Sequence, residues 1–251
     1  MFPLRTRIRQ SLVNPVLQAA LDANAERRLR GRAQAFASLP DAETRRQQAR
    51  AVRAGVIEHL DELLERFLRR LQENGIYVHR AQNAAEARQI VMDIVNAHAA
   101  GKEGLLIAKS KSMVSEEIEL NHALEAAGHR VVETDLGEYI VQLRGERPAH
   151  IITPAVHLRR QEVGALFHEK LGIPYTEEIA TLTQAARRTL RQVFLQAEVG
   201  ISGVNFGVAE TGALCILTNE GNGRMVTTLP RIHVALMGME RIVPTLRDLA
   251  V

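Results

Sequence analysis

Lys109 and Lys111 bracket Ser110 directly after the apolar run Leu105-Leu106-Ile107-Ala108, and Ser112 opens a segment with helical periodicity. Two ammonium groups beside the free N–H donors of a helix start suit a carboxylate or a phosphate. They are two of the four lysines in a chain whose cations are mostly arginine, which favours a role for compact ammonium groups. The alternative is a pair of solvated lysines and a serine N-cap. Past Val131-Val132, the triplet Glu133-Thr134-Asp135 sets Asp135 at a second strand end as a further anion- or substrate-binding candidate. His157 follows the run Ile151-Ile152-Thr153. An imidazole there can pass protons near neutral pH, and a capping or buried structural histidine is the alternative.

The stretch 200–224 is the most distinctive. Its apolar strand residues are interrupted by Asn205, Glu210, Asn219, Glu220, Asn222, Arg224 and six glycines. Glu210-Thr211-Gly212 between two β-rich runs predicts a tight turn that presents a catalytic carboxylate with little obstruction. Gly221-Asn222-Gly223-Arg224 predicts a loop that wraps an anion with backbone N–H groups and a guanidinium. A glycine-rich hairpin loop without a ligand is the plainer reading. Folding alone does not require so many polar groups in one run.

Ligands of open α/β sheets sit beyond the carboxyl ends of the strands, where loops and helix starts converge. The hydrophobic pattern supplies such strands. Residues 15–51 read as polar helix broken near Leu39-Pro40-Asp41, and Val52, Val56, Leu60, Leu64, Phe67 and Leu71 mark one apolar stripe of a second helix that Asn74-Gly75 stops. Ile76-Tyr77-Val78 predicts a short strand, and Asn83 with Glu86 a capped helix closing at Gly101. Strands at 105–108, 131–132 and 151–152 then alternate with helices at 112–127, 158–171 and 178–198, followed by β-rich runs at 200–206 and 213–218 and a last strand at 234–237. The expected fold class is α/β, with a mostly parallel sheet flanked by helices. A helical N-terminal arm, residues 1–50, precedes a second domain at 51–251.

Composition narrows the function classes. Cys215 is the only cysteine, which rules out an intrachain disulfide framework, a cysteine-rich zinc site and an all-cysteine iron–sulfur cluster on these residues. It sits in an apolar run as a small core residue rather than a nucleophile. No dinucleotide-binding, phosphate-loop or zinc-protease motif is present, and the histidines lack metal-ligand spacing, so no metal site is expected. No run is long enough to span a membrane, and without a signal sequence a reducing, cytoplasmic setting is expected. The net charge of +3 is uneven, because residues 1–53 carry eleven arginines against Asp22, Glu26, Asp41 and Glu43. Lacking interleaved aromatics or a recognition motif, this basic arm suggests a solvated helix or a protein-docking surface rather than nucleic-acid binding.

Five runs carry a family resemblance: KSKSMVSEEI at 109–118, VETDLGEYI at 132–140, HIITPAVH at 150–157, the stretch 200–224, and TLPRIH at 228–233. From about Arg45 onward the chain resembles the LUD domain, and more narrowly that of the lactate-utilisation protein B group, the iron–sulfur subunit of L-lactate-oxidising complexes. The resemblance implies a NagB/RpiA/CoA-transferase-like fold and a part in oxidising L-lactate to pyruvate beside other subunits. It also implies a continuation past Val251 into a ferredoxin-like region holding [4Fe-4S] clusters, so that these residues are the N-terminal part and carry no cofactor themselves. Oxidising a 2-hydroxy acid needs a cation for its carboxylate, a base for its hydroxyl proton and an electron acceptor. Lys109, Lys111 and Arg224 are candidates for the first, and His157, His233 and Glu210 for the second. Two other classes stay open. Glu210 in its Thr-Gly turn resembles the nucleophile of CoA transferases, which form an acyl anhydride; alternatively the chain is a non-catalytic scaffold for assembly.

Overall fold

The computed structural model describes residues 4–99, 102, 104–149 and 153–251. In chain order these form α1 (Leu4–Leu12), α2 (Pro15–Ala37), α3 (Ala42–Glu58), α4 (Leu60–Glu73), α5 (Ala84–Ala97) and β1 (Leu106–Lys109). Next come α6 (Met113–Glu117), α7 (Leu120–Ala126), β2 (Arg130–Glu133), α8 (Leu136–Arg144), α9 (Arg160–Leu171) and α10 (Ile179–Gln196). The last third holds β3 (Val199–Gly203), β4 (Phe206–Val208), β5 (Ala213–Cys215), α11 (Asn222–Thr228), β6 (Ile232–Leu236), β7 (Ile242–Val243) and α12 (Leu246–Leu249). They fall into two compact units, Met1–Ala42 with Leu136–Leu190, and Glu43–Asp135 with Arg191–Val251.

The first unit is helical. Asn14 caps α2, its Oδ1 accepting from the Val16 and Leu17 amides at 3.0 and 3.1 Å, with Pro15 at the first helical position, where a missing N–H costs nothing. Not one residue of α2 is buried. The unit's core lies instead among Ile140 of α8, Leu166 and Phe167 of α9, and Leu182, Ala185 and Ala186 of α10.

The second unit holds a four-stranded parallel sheet in the order β2-β1-β3-β6. Because side chains alternate across a strand, Ile107, Val199, Ile201 and Val234 face one way, into a core shared with Val91 and Val95 of α5 and Leu120 and Leu124 of α7. Gly200 and Ser202 of β3 face the other way. There α11 comes so close that a Cβ on Gly200 would lie 2.0 Å from the Val226 carbonyl oxygen. Both faces of the parallel sheet are thus covered, as an all-parallel sheet requires. A smaller sheet, β5-β4-β7, lies against α4 through Leu63, Leu64, Phe67, Leu71, Ala209 and Ile242. Phe67 alone, 2% exposed, contributes about 1.5–3 kcal/mol of burial.

The α/β class, the parallel sheet and the N-terminal helices agree with the sequence reading, and several elements differ from it. Ile76-Tyr77-Val78 is not a strand: Tyr77 is 93% exposed and the segment pairs with no β-strand. The stripe at 52–71 spans two helices, α3 and α4, divided at His59. The helix expected at 112–127 is split at Glu119, whose φ of 51° is left-handed and ends the hydrogen-bond ladder. The stretch expected to be a loop at 221–224 opens α11, α8 has no counterpart among the expected elements, and the expected strand at 151–152 lies outside the described residues.

Candidate functional site

Lys109 closes β1 on the same face as Ile107, and its side chain is fully buried. Its Nζ lies 2.8 Å from Glu133 Oε1, 3.2 Å from Glu116 Oε1 and 2.8 Å from Ser115 Oγ. Asn121 of α7 donates to Glu133 Oε1 at 2.6 Å. A buried ammonium is tolerated only when paired and hydrogen-bonded, and Lys109 meets that condition with groups of the protein itself. Ser112 caps α6, its Oγ accepting from the Ser115 amide at 3.2 Å, as the serine-cap alternative has it. The Lys109 carbonyl accepts from Thr134 N at 2.8 Å and from Thr134 Oγ1 at 2.9 Å. The charge of Lys109 is therefore spent inside the protein rather than displayed at a strand end.

Arg224 stands on the other face of the sheet. It belongs to α11, not to the glycine loop that its Gly-Asn-Gly context suggests, and its exposed guanidinium makes no hydrogen bond or ion pair among the described residues. With Thr227 it borders a cleft of about 480 Å³ lined also by Ile76, Leu214, Ile216, Thr218 and His233. The cleft thus combines one free cation, hydroxyl groups and an aliphatic wall. Gly221, at φ +79°, takes the left-handed conformation that starts α11, and its amide donates to Thr218 Oγ1 at 3.1 Å. Thr218 Oγ1 in turn donates to Asn222 Oδ1 at 3.2 Å, and Asn222 Nδ2 approaches Thr134 Oγ1 at 3.5 Å. Asn222 consequently anchors the helix that carries Arg224.

His233 lies level with Gly200 in the β3–β6 register, on the face that α11 covers. Its Nε2 is 2.8 Å from Ser202 Oγ. Desolvation lowers its pKa below the usual imidazole value, because burial penalises the charged ring. Ser202, Thr218 and Thr227 carry no signal as a motif. The one clue is the serine that breaks the apolar run Gly200-Ile201-Ser202-Gly203.

Asn205 braces the β4–β5 hairpin, its Oδ1 accepting from Leu217 N at 2.8 Å. Glu210 is exposed on the turn after β4, and its Oε2 accepts from Leu246 N at 3.3 Å where α12 begins. Gly212 in that turn has φ +73°, and Asn74 donates to the Thr211 carbonyl at 3.0 Å. Asn219 and Glu220 are exposed on the segment before α11, whereas Lys111 and Asp135 are half-buried and engaged within the protein. His157 belongs to the first unit, where its Nε2 is 3.0 Å from Glu146 Oε2 and Arg144 also pairs with Glu146 at 2.9 Å. Desolvation pushes Glu146 up, but hydrogen bonds from His157 and Arg144 and their charges outweigh it and hold the carboxyl below its ordinary value. A depressed carboxyl stabilises the fold above its unfolded pKa and loses that contribution as pH falls through the folded value. The cost of Glu146→Gln in chemical denaturation is therefore expected at neutral pH and is expected to vanish on acidification below the carboxylate range. A cost independent of pH would contradict the pairing.

Among the described residues, no group of three or more His, Cys, Asp or Glu side chains is arranged to hold a metal ion. An iron–sulfur cluster does not fit here either. Its usual ligation takes four thiolates, and the chain has one cysteine, Cys215, half-buried in β5.

Residues 64–251 match the LUD domain. The chain is 42% identical over 98% of its length to "Uncharacterized electron transport protein YkgF" of Escherichia coli (strain K12), covering 51% of that protein. It is 42% identical to "Lactate utilization protein B" of Bacillus licheniformis and 40% identical to that of Bacillus subtilis (strain 168), in each case over 98% of this chain and 51% of the relative. The chain thus spans about half the length of the curated relatives it matches. No solved structure matches it at a significant level. No helix among the described residues is long and apolar enough to cross a membrane. By a match covering three quarters of its residues, the chain belongs to the LUD domain family.

Proposed function

We propose that the chain is the carboxylate-binding part of a lactate-utilising protein, contributing to the oxidation of L-lactate to pyruvate together with other subunits. The two electrons released would leave through [4Fe-4S] clusters held outside these 251 residues, and the chain's own task is to bind and orient the acid. The observation that carries this reading is the unpaired Arg224 guanidinium on the rim of a cleft with hydroxyls and an aliphatic wall. A guanidinium grips a carboxylate through two parallel hydrogen bonds, and Ile76, Leu214 and Ile216 suit a methyl group. Of the sequence-predicted cations, Lys109 is consumed by Glu133 and Glu116 and Lys111 is engaged elsewhere. The names of the relatives favour lactate and pyruvate among small acids.

Calorimetric titration of the chain with L-lactate and with pyruvate tests the proposal. Arg224→Ala is expected to weaken both at least tenfold, the loss of one charge-assisted pair at about 1.5–3 kcal/mol. Lys109→Met, where it still folds, is expected to leave binding intact. Equal binding by wild type and Arg224→Ala would reject the cleft as the site.

A further inference from the structure

Ser202 is fully buried in β3, and its hydroxyl has a single hydrogen-bond partner among the described residues, His233 Nε2 at 2.8 Å. A hydroxyl shut away from water must donate somewhere or lose a hydrogen bond outright. The acceptor within reach is the imidazole nitrogen, which accepts only while it carries no proton. The neutral ring therefore keeps its proton on Nδ1. Nδ1 has no partner among the described residues, and the ring lines the cleft beside Arg224. The register of β3 and β6 places both residues on the α11 face, so the arrangement is built into the sheet rather than into a loop. The His233 ring is partly open to solvent, and desolvation nevertheless lowers its pKa, in the direction of the neutral ring.

We infer that Ser202 is a positioning residue that holds His233 as a neutral Nδ1–H donor, and that this donor, with Arg224, selects acids bearing an oxygen on C2. The inference rests on the cleft being the carboxylate site proposed above and deepens it to a ligand class, the short 2-oxo monocarboxylates. It also changes the role of His233. A ring whose free nitrogen already carries a proton cannot remove one from the lactate hydroxyl there, so His233 receives the C2 oxygen instead of acting as a base. A 2-oxo oxygen is purely an acceptor and matches the donor in full. Propionate has the same carboxylate and methyl but no C2 oxygen, and would leave the Nδ1–H unused. Ser202 itself is buried too deeply to attack a ligand, so its contribution passes through the ring.

Two measurements on the 251-residue chain test this. Nitrogen-15 NMR of the histidine rings at neutral pH is expected to show His233 with a protonated Nδ1 and an unprotonated, hydrogen-bonded Nε2. A proton on Nε2, or an imidazolium, overturns the inference without recourse to any variant. Calorimetry with pyruvate and propionate is expected to show about a tenfold preference for pyruvate, the worth of one good hydrogen bond in a specific site. Ser202→Ala is expected to bring that preference near parity by weakening pyruvate alone, with propionate unchanged. Unchanged propionate binding also shows that the variant is folded. Equal binding of the two acids by wild type, or a preference that survives Ser202→Ala, removes the selective role. If neither acid binds, the proposed function fails and the ligand class fails with it, while the ring spectrum still judges the Ser202–His233 pair.

Discussion

Lys109→Met is expected to destabilise the second unit by about 3–5 kcal/mol, the usual cost of leaving one half of a buried ion pair behind. Glu133 is 4% exposed, and Lys109 Nζ sits 2.8 Å from its Oε1. Without the ammonium, Glu133 loses the cation that faces its buried carboxylate, and Ser115 loses a partner as well. Methionine fills a similar volume, so the loss reads the charge rather than a cavity. Lys109→Met with Glu133→Gln is expected to recover a large part of it, because a neutral amide no longer needs a cation. Urea unfolding with an unchanged denaturant slope measures both effects. A loss below about 1 kcal/mol, within the range of exposed pairs, would show that Lys109 is not held as described.

The second large effect belongs to Gly200→Ala. The new Cβ would lie 2.0 Å from the Val226 carbonyl oxygen and 3.1 Å from Pro230 Cγ. Neither neighbour is the free end of a flexible side chain, so α11 has to move off the sheet. Overpacking of this kind costs about 1–3 kcal/mol, with the upper end expected because backbone must yield. Since α11 carries Arg224, pyruvate binding is expected to fall together with the melting temperature. Gly31→Ala in α2 is the matched control, because its Cβ would meet nothing within 4 Å. Retained binding and stability in Gly200→Ala would mean that α11 is not seated on β3.

The glycines of 200–224 show what the sequence could and could not convey. Their density was a true signal of an unusual segment, and three of them, outside the Gly221–Arg224 run, serve close packing. Gly200 admits α11, Gly207 admits the Phe67 ring, and Gly203 admits Ser112. Close packing and ligand approach both require a missing Cβ, and composition does not separate them. Arg224 was legible as a chemical candidate, though its position on a helix was not. A seven-residue helix with one glycine before it and another in its first turn offers too few turns for periodicity to register. Lys109 was legible as lying at a strand end. Its burial depends on Glu133, Glu116 and Asn121, which come from three other elements, and no local pattern encodes that convergence. The alternation of strands and helices was legible because buried parallel strands are continuous apolar runs. Ile76-Tyr77-Val78 has the same composition and yet is no strand, because no neighbour offers it a ladder. Strand pairing is a long-range property, and a three-residue window does not contain it.

Whether the Arg224 cleft receives the acid is decided by a crystal structure of the chain with pyruvate. The carboxylate is expected on the Arg224 guanidinium, the C2 oxygen within hydrogen-bond distance of His233 Nδ1, and the methyl group toward Ile76, Leu214 and Ile216. Pyruvate seated elsewhere, beside Lys111 or at the Glu210 turn, with the Arg224 cleft holding only water, would contradict this placement.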